Sequence, residues 1–338
     1  MELGKHIMSA VKKLLSFIIL LTSFLLLLSC GGSDNSGDDL SLAQQRMAQA
    51  YLSEIITIMR NNALTRNEVN WSNLESEVSQ LAANVGAIKD TYPAITRALE
   101  LINTNHSFLN SPSGALITYP STIRCEQNLA LDTPEEPGIG YVRVDAVMSR
   151  DAAEAKQIAT TIQQEIAKQD SQGVTAWIVD LRNNQGGNMW PMIAGLGPLF
   201  EGTTLGYFID ADENSTWWGY NNGSSLLGGS PVVTVDKPYS LITPLPKIAV
   251  LTSKRTASSG EATVIAFKKQ FNVQFFGTDS CGLSTANTNF TLSDNSALFL
   301  TTAVIADREQ QKYGVRIPVD EATSSEHTLA SAIAWLQN

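Results

Sequence analysis

Histidine and cysteine are the scarce residues of this chain, three of each in 338 positions. His6 and Cys30 fall in or beside an N-terminal leader, which leaves the body with only His106, His327, Cys125 and Cys281. Two histidines and two widely separated cysteines make a poor metal-ligand set, so neither a metal nor an organic cofactor is indicated. Basic residues are also short: 23 Lys and Arg stand against 33 Asp and Glu, for a net charge of −10. That balance excludes the electrostatic footprint of a nucleic-acid binder and argues against broad contact with anionic lipid. It suits a cationic partner, although solubility alone explains it equally well. There is no internal repeat and no low-complexity tract beyond residues 31–39. The one long apolar run, residues 14–28, is short of the roughly 20 residues that a bilayer span needs.

What is present at the N-terminus has the order of an export signal. Lys5, Lys12 and Lys13 precede the apolar run, which ends in "LLSC" and is followed by "GGSDNSGDD". Basic, then apolar, then small residues read as a secretory leader over residues 1–29, with an uncleaved anchor as the alternative. "LLSC" resembles the lipobox of bacterial lipoproteins, which implies that Cys30 is lipidated and becomes the mature N-terminus. Gly31 in the next position is similar to lipoproteins sent to the outer membrane, facing the periplasm. Residues 30–40 then form a flexible tether. In an exported chain Cys125 and Cys281 favour a disulfide over a metal site, with two buried thiols as the open alternative.

The remaining chain, 43% hydrophobic overall, is long enough to bury a full core. Residues 41–110 carry helical periodicity and read as a three-helix bundle. "SNLE" at Ser72 to Glu75 offers a capping box, Pro93 marks a helix start, and Ile95, Leu99 and Ile102 share one stripe. A Pro-rich connecting segment covers 111–137. From 138 to 338 strand and helix patterns alternate, "GIGYVRVDAV", "RDAAEAKQIATTIQQEIAKQ", "TAWIVDL", "NMWPMIAGLGPLF", "KIAVLT", "SSGEATVIAFKKQ" and "VQFFGT", which indicates an α/β core with a largely parallel sheet.

The chemistry centres on "KRTASSGEA", residues 254–262, directly after the strand "KIAVLTS". A strand running into a turn of small residues and then a helix sets side chains against the free amides of the helix N-terminus, where an oxyanion can be held. Taken alone, the stretch favours a simple N-cap. A nucleophilic serine needs a base. His327, in "SSEHTLASA", reads as a surface or capping residue, whereas His106, in "NTNHSFL", lies at a helix-to-loop corner able to reach a cleft. A third segment, "IVDLRNNQGGN", is a buried strand ending in paired glycines.

Together, and in this chain order, "NHSFL", "IVDLRNNQGGN", "TASSGE", the late turn "GTDSCGLS" and "YGVRIPVD" closely resemble the S41 family of serine peptidases, the C-terminal processing or tail-specific proteases, over roughly residues 95–325. The resemblance implies a crotonase-like ββα spiral behind an N-terminal helical bundle. It implies Ser258 as nucleophile, with an oxyanion hole from the amide of Ser259 and that of Gly187, or of Gly186. It also implies Asn188 and Met189 as substrate contacts, and a peptide or unfolded protein tail, cationic peptides included, as substrate. Many members use a lysine base in the turn matching "GTDSCGLS", where this chain has Leu283; Lys254 and Lys268 lie elsewhere. That departure points to the histidine-base branch of the family and makes His106 the base, with activity falling as pH drops below about 6.5, shifted by the site. About 30 residues separate His106 from "GIGYVRV", too few for the PDZ domain that many members carry. A residue to orient His106 is left open among Ser107, Asp307, Glu309 and Gln311. The runner-up is a catalytically weak or inactive peptide-binding lipoprotein on the same fold.

Overall fold

The computed structural model describes residues 36–134, 136–244 and 246–338. The leader and the lipidation candidate Cys30 therefore lie outside the described residues. Among the described residues no helix is long and apolar enough to cross a membrane.

Three helices open the fold: α1 (Ser36–Asn62), α2 (Trp71–Leu81) and, after a short 3-10 turn, α3 (Tyr92–Ile102). Helix α1 begins at Ser36, inside the stretch expected to be tether, because extending an existing helix is far cheaper than nucleating one. The cap of α2 also differs from expectation. Asn70, not Ser72, holds the first turn, its side chain accepting from the Asn73 amide at 3.1 Å. Pro93 does sit in the first turn of α3, and Ile95, Leu99 and Ile102 are buried along one stripe. The three helices pack with each other and with Leu292, Leu298 and Leu300, so the bundle is fused to a sheet rather than free-standing.

That sheet is mostly antiparallel, with eight strands. It contains β1 (Phe108–Asn110), β2 (Leu116–Ile117), β5 (Thr204–Asp210), β6 (Ser215–Asn221), β7 (Ser224–Leu227), β8 (Ser230–Thr234), β11 (Thr285–Thr291) and β12 (Ala297–Asp307). The long strand β12 organises it, pairing with β11 on one side and with β1 and then β5 on the other. The second sheet has five strands in the order β13 (Glu321–Ala322), β10 (Val273–Gly277), β9 (Lys247–Thr252), β4 (Ala176–Asp180) and β3 (Ile139–Arg143), all parallel neighbours.

Parallel strands must be covered on both faces, and β4 shows how. Every residue of Ala176–Asp180 is buried. Trp177 and Val179 pack toward α5 (Met189–Leu196) and α6 (Ser259–Phe267), while Ala176 and Ile178 pack toward α7 (Thr328–Gln337). The amphipathic α4 (Ala152–Asp170) covers α5 and β3. The strand-helix alternation read from residues 138–338 is thus the α/β core expected.

Cys125 and Cys281 are joined in a disulfide that bridges a sequence separation of 156 with a Cα–Cα distance of 5.1 Å. It fastens the irregular connecting segment to the loop before β11. Closing so long a loop stabilises by about 5 kcal/mol in the chain-entropy account. The double variant Cys125→Ser/Cys281→Ser is expected to lose about 2–5 kcal/mol of unfolding free energy in denaturant titration. Unchanged stability would mean that the bridge does not restrict the unfolded chain.

Candidate active site

The site sits where β4 and β9 end, outside the carboxyl edge of the parallel sheet, the usual position for a binding crevice in such sheets. Strand β9 runs through Ser253–Ala257 into α6. Ser258, the N-cap of α6, holds φ 54° and ψ −120°. With the Gly260 amide donating to the Ala257 carbonyl at 2.9 Å, this is a turn whose second position normally takes glycine. A serine there costs on the order of 1–3 kcal/mol and persists only if its surroundings force it. The turn thrusts the Ser258 side chain outward, half-buried, into a cleft of about 1110 Å³.

The forcing group is Glu261, fully buried beneath the turn. One carboxylate oxygen accepts from the Ser258 amide at 2.8 Å. The other accepts from the Gly282 amide at 2.8 Å and the Ser280 hydroxyl at 2.5 Å. Burial pushes its pKa up, to about 7, against these hydrogen bonds, which favour the ionised form.

The neighbouring loop, 181–188, is laced to the turn. Thr256 Oγ1 donates to the Leu181 carbonyl and Ser253 Oγ to that of Arg182. The buried Asp180–Arg182 ion pair, at 2.6 Å and joined by the Tyr141 hydroxyl, fixes where the loop leaves β4. Asn184, also buried, is the hub: its Oδ1 accepts from the Gly186 amide, its Nδ2 donates to the Val144 carbonyl, and its own carbonyl accepts from the Ala257 amide. Both glycines are required by shape. Gly186 and Gly187 hold φ of 104° and 102°, and a Cβ on Gly187 would lie 2.1 Å from the Val147 carbonyl oxygen.

The Gly186 amide is therefore already engaged, whereas those of Gly187 and Ser259 have no acceptor among the described residues. Ser259 Oγ donates to the Gly187 carbonyl at 2.6 Å, holding those two residues together. The turn and the loop bonded to it thus each keep one N–H without an acceptor among the described residues.

His106 lines the same cleft. Asn103 and Asn105, both in left-handed conformations that asparagine tolerates, turn the chain from α3 into β1 and swing the histidine over the sheet. Its Nδ1 lies 2.8 Å from Thr285 Oγ1, and its carbonyl accepts from Asn287 Nδ2 at 2.9 Å. One face of the ring opens on the cleft, yet protein surrounds it densely, and desolvation lowers its pKa to about 4. His106 and Ser258 are not directly hydrogen-bonded in this state.

None of the four candidates for orienting the imidazole bonds to it. Ser107 is buried on Thr104 and Thr301. Asp307 accepts from the Glu309 and Gln311 amides and the Tyr313 hydroxyl at the far end of β12. Thr285 occupies that position instead; it opens β11, two residues past Leu283, and a bare threonine in a strand carries no sequence signal. Leu283 lines the cleft, while Lys254 pairs with Glu126 and Lys268 donates to the Pro318 carbonyl. Asn188 caps α5 by accepting from the Trp190 amide and lines the cleft; Met189 is mostly in the core with one edge on the cleft. His327 caps α7, bonded to Ser324. Among the described residues no three metal-ligating side chains gather.

Comparison with known proteins gives the family and the fold. The profile of "Peptidase family S41" matches residues 138–320. The chain is 28% identical to the nisin-resistance protein of Lactococcus lactis subsp. lactis over 296 residues, 86% of this chain and 87% of that one. Its fold is similar to a lipoprotein from Streptococcus agalactiae, with TM-score 0.67, 21% identity, and 92% and 99% of the two chains covered. It is also similar to the photosystem II D1 C-terminal processing protease, with TM-score 0.55, 16% identity, and 86% and 97% covered.

Glu261 provides a test independent of activity. Glu261→Ala strips acceptors from the buried Ser258 and Gly282 amides and the Ser280 hydroxyl, and is expected to cost on the order of 3 kcal/mol or more in unfolding free energy. The sign of its pH effect also follows. A carboxyl raised from 4.5 to about 7 on folding binds more proton folded than unfolded between those values. Its contribution to stability is therefore full below about pH 4.5 and lost as pH rises toward 7. Glu261→Gln should remove that slope from the pH dependence of unfolding; an unchanged slope would place the titration elsewhere.

Proposed function

This chain belongs to peptidase family S41 and is a serine peptidase, and from that premise we propose that it cleaves peptides or unfolded protein tails through an acyl-enzyme on Ser258 with His106 as base. The observation that carries this reading is the pair of amides, Ser259 and Gly187, that have no partner among the described residues and belong to the strained, outward-thrust serine's turn and to the loop bonded to it. With Nδ1 protonated and donating to Thr285 Oγ1, the imidazole keeps Nε2 as the free base. A peptide entering the cleft brings hydroxyl and imidazole together, as catalytic hydrogen bonds commonly tighten on binding.

His106 Nε2 takes the Ser258 proton as Oγ attacks the scissile carbonyl, and the new oxyanion is held by the Ser259 and Gly187 amides. The imidazolium then protonates the leaving amine as the C–N bond breaks, leaving the acyl group on Ser258. Water, deprotonated by the same nitrogen, attacks the ester and restores the serine. Thr285 acts as a positioning residue, fixing the tautomer as a carboxylate does in other serine hydrolases. Because a neutral hydroxyl holds no negative charge, the imidazolium is less stabilised than beside a carboxylate.

The same reading makes the enzyme a lipoprotein of the cell envelope, anchored through Cys30 on the periplasmic side of the outer membrane. "LLSC" and the likeness to a streptococcal lipoprotein support the anchor. The acidic surface suits cationic peptides as substrates.

The test is labelling by a fluorophosphonate probe, with hydrolysis of an unstructured peptide pool beside it, on the soluble form from Gly31. Ser258→Ala and His106→Ala should each abolish both. Thr285→Val should slow labelling about tenfold and move its pH profile, with Thr285→Ser restoring the wild-type rate. Since burial lowers the His106 pKa to about 4, the base stays neutral well below pH 6.5. Labelling should hold from pH 7 to about 5 and fall near 4. A folded wild type that labels no faster than Ser258→Ala would reassign the protein as a peptide binder.

A further inference from the structure

The connecting segment between bundle and core has no regular structure of its own, yet it is bonded to each part of the site in turn. Residues 118–134 form neither helix nor strand, and 124–128 are all exposed. At the histidine corner the Tyr119 hydroxyl accepts from the Asn105 amide at 2.7 Å, and Asn105 Oδ1 accepts from Ser121 Oγ at 3.0 Å. Cys125 is then bonded to Cys281, between the two residues that hold Glu261. The Cys281 amide itself donates to the Thr256 carbonyl at 2.8 Å, inside the turn that leads to Ser258. One residue after Cys125, the Glu126 amide donates to the Lys254 carbonyl at 3.2 Å and its carbonyl accepts from Arg255 Nη1 at 3.1 Å. Leu129 finally exchanges two 3.0 Å hydrogen bonds with the Asn183 side chain, on the loop of the paired glycines.

These links differ in kind. The Lys254–Glu126 ion pair, at 3.3 Å, has side chains 41% and 47% exposed, so water and salt compete for it. Among the described residues no hydrogen bond or ion pair joins residues 119–129 to the loop at 280–284, which leaves the disulfide as the tie between them. Its two ends are also unlike: Cys281 is 1% exposed, whereas Cys125 lies in the exposed stretch. Thiol exchange depends on access to the sulfur attacked, and here the accessible end is on the segment that is held by little else.

We propose that the Cys125–Cys281 bond is a reversible dithiol–disulfide modification site that sets the rate of the Ser258 reaction, holding the serine and histidine parts of the site in register when closed and leaving a folded but slow enzyme when open. The inference rests on the peptidase reading above. A thiolate of an external dithiol attacks Cys125 Sγ. The S–S bond breaks with its electron pair on Cys281 Sγ, which takes a proton. The second thiol of the dithiol then displaces Cys125 from the mixed disulfide, and Cys125 leaves as a thiolate and is protonated. The protein gains two electrons and two protons, and the dithiol becomes a cyclic disulfide. Closure runs the other way against a disulfide-bearing oxidant. In an exported chain, the bond is thus an activating step that follows export from a reducing compartment.

The test compares the soluble form from Gly31 in three states: oxidised, reduced by dithiothreitol, and reoxidised by oxidised glutathione, each freed of reagent. Fluorophosphonate labelling gives the rate and near-ultraviolet circular dichroism the fold. The reduced protein should keep its spectrum, label Ser258 about tenfold or more slowly, and recover its rate on reoxidation. Cys125→Ser/Cys281→Ser should label at the reduced rate and ignore the dithiol. A bond that only stabilises the fold would leave the rate of folded, reduced protein unchanged, and that result overturns the proposal. So does reduced protein that has lost its spectrum, a bond that dithiothreitol cannot open in the folded protein, or a double variant that still responds to the dithiol. Failure of the peptidase reading is distinct, since the oxidised protein would then not label at all.

Discussion

The hydrogen bond from the Ser258 amide to the buried Glu261 carboxylate, 2.8 Å long, is the interaction on which the site depends. It draws the serine backbone into a conformation that only glycine adopts readily, and so turns the side chain away from the helix it caps. The same carboxylate reaches across to Gly282 and Ser280, one residue to either side of Cys281. One buried acid therefore joins the Ser258 turn to the loop that leads into β11, and β11 supplies the threonine that holds the histidine. The disulfide fastens that loop from outside through Cys125. Serine and histidine come from opposite halves of the molecule, and this chain of contacts sets their separation.

The sheet pairing is interrupted on one edge of β12. Opposite β11, β1 pairs with the start of β12 and β5 with its end, while Thr301 between them bonds to Ser107 and Leu64 instead of a strand. Phe108, Phe299 and Phe208 line the cleft, together with the paired-glycine loop and Trp190. The helical bundle matters because its last helix delivers His106, and its burial on Leu298 and Leu300 keeps that corner fixed to β12.

Much of this could be read in advance because it lies in local pattern. The run "TAWIVDL" marked a buried strand, the helical stripe of Ile95, Leu99 and Ile102 a core face, and the scarcity of histidine left His106 as the candidate base, a residue that lines the cleft. Paired glycines marked the end of a buried strand, and the Val147 carbonyl oxygen, 2.1 Å from where a Cβ on Gly187 would stand, is what requires glycine there. What could not be read were contacts between residues distant in sequence. Thr285 meets His106 across 179 positions, and nothing in its neighbours marks it. Asn184 resembled one more polar loop residue until its three bonds were seen to hold the glycine pair. The acids near the end of β12 were plausible partners by spacing, but Asp307 spends itself on its own turn.

The central claim is that the Ser258 turn and the glycine loop form a preorganised oxyanion site. The most direct measurement is a crystal structure of the protein after reaction with a small fluorophosphonate. The claim predicts phosphorus bonded to Ser258 Oγ and its phosphoryl oxygen about 3 Å from the amide nitrogens of both Ser259 and Gly187. An adduct whose oxygen points to solvent, or to the Gly186 side of the loop, would contradict it.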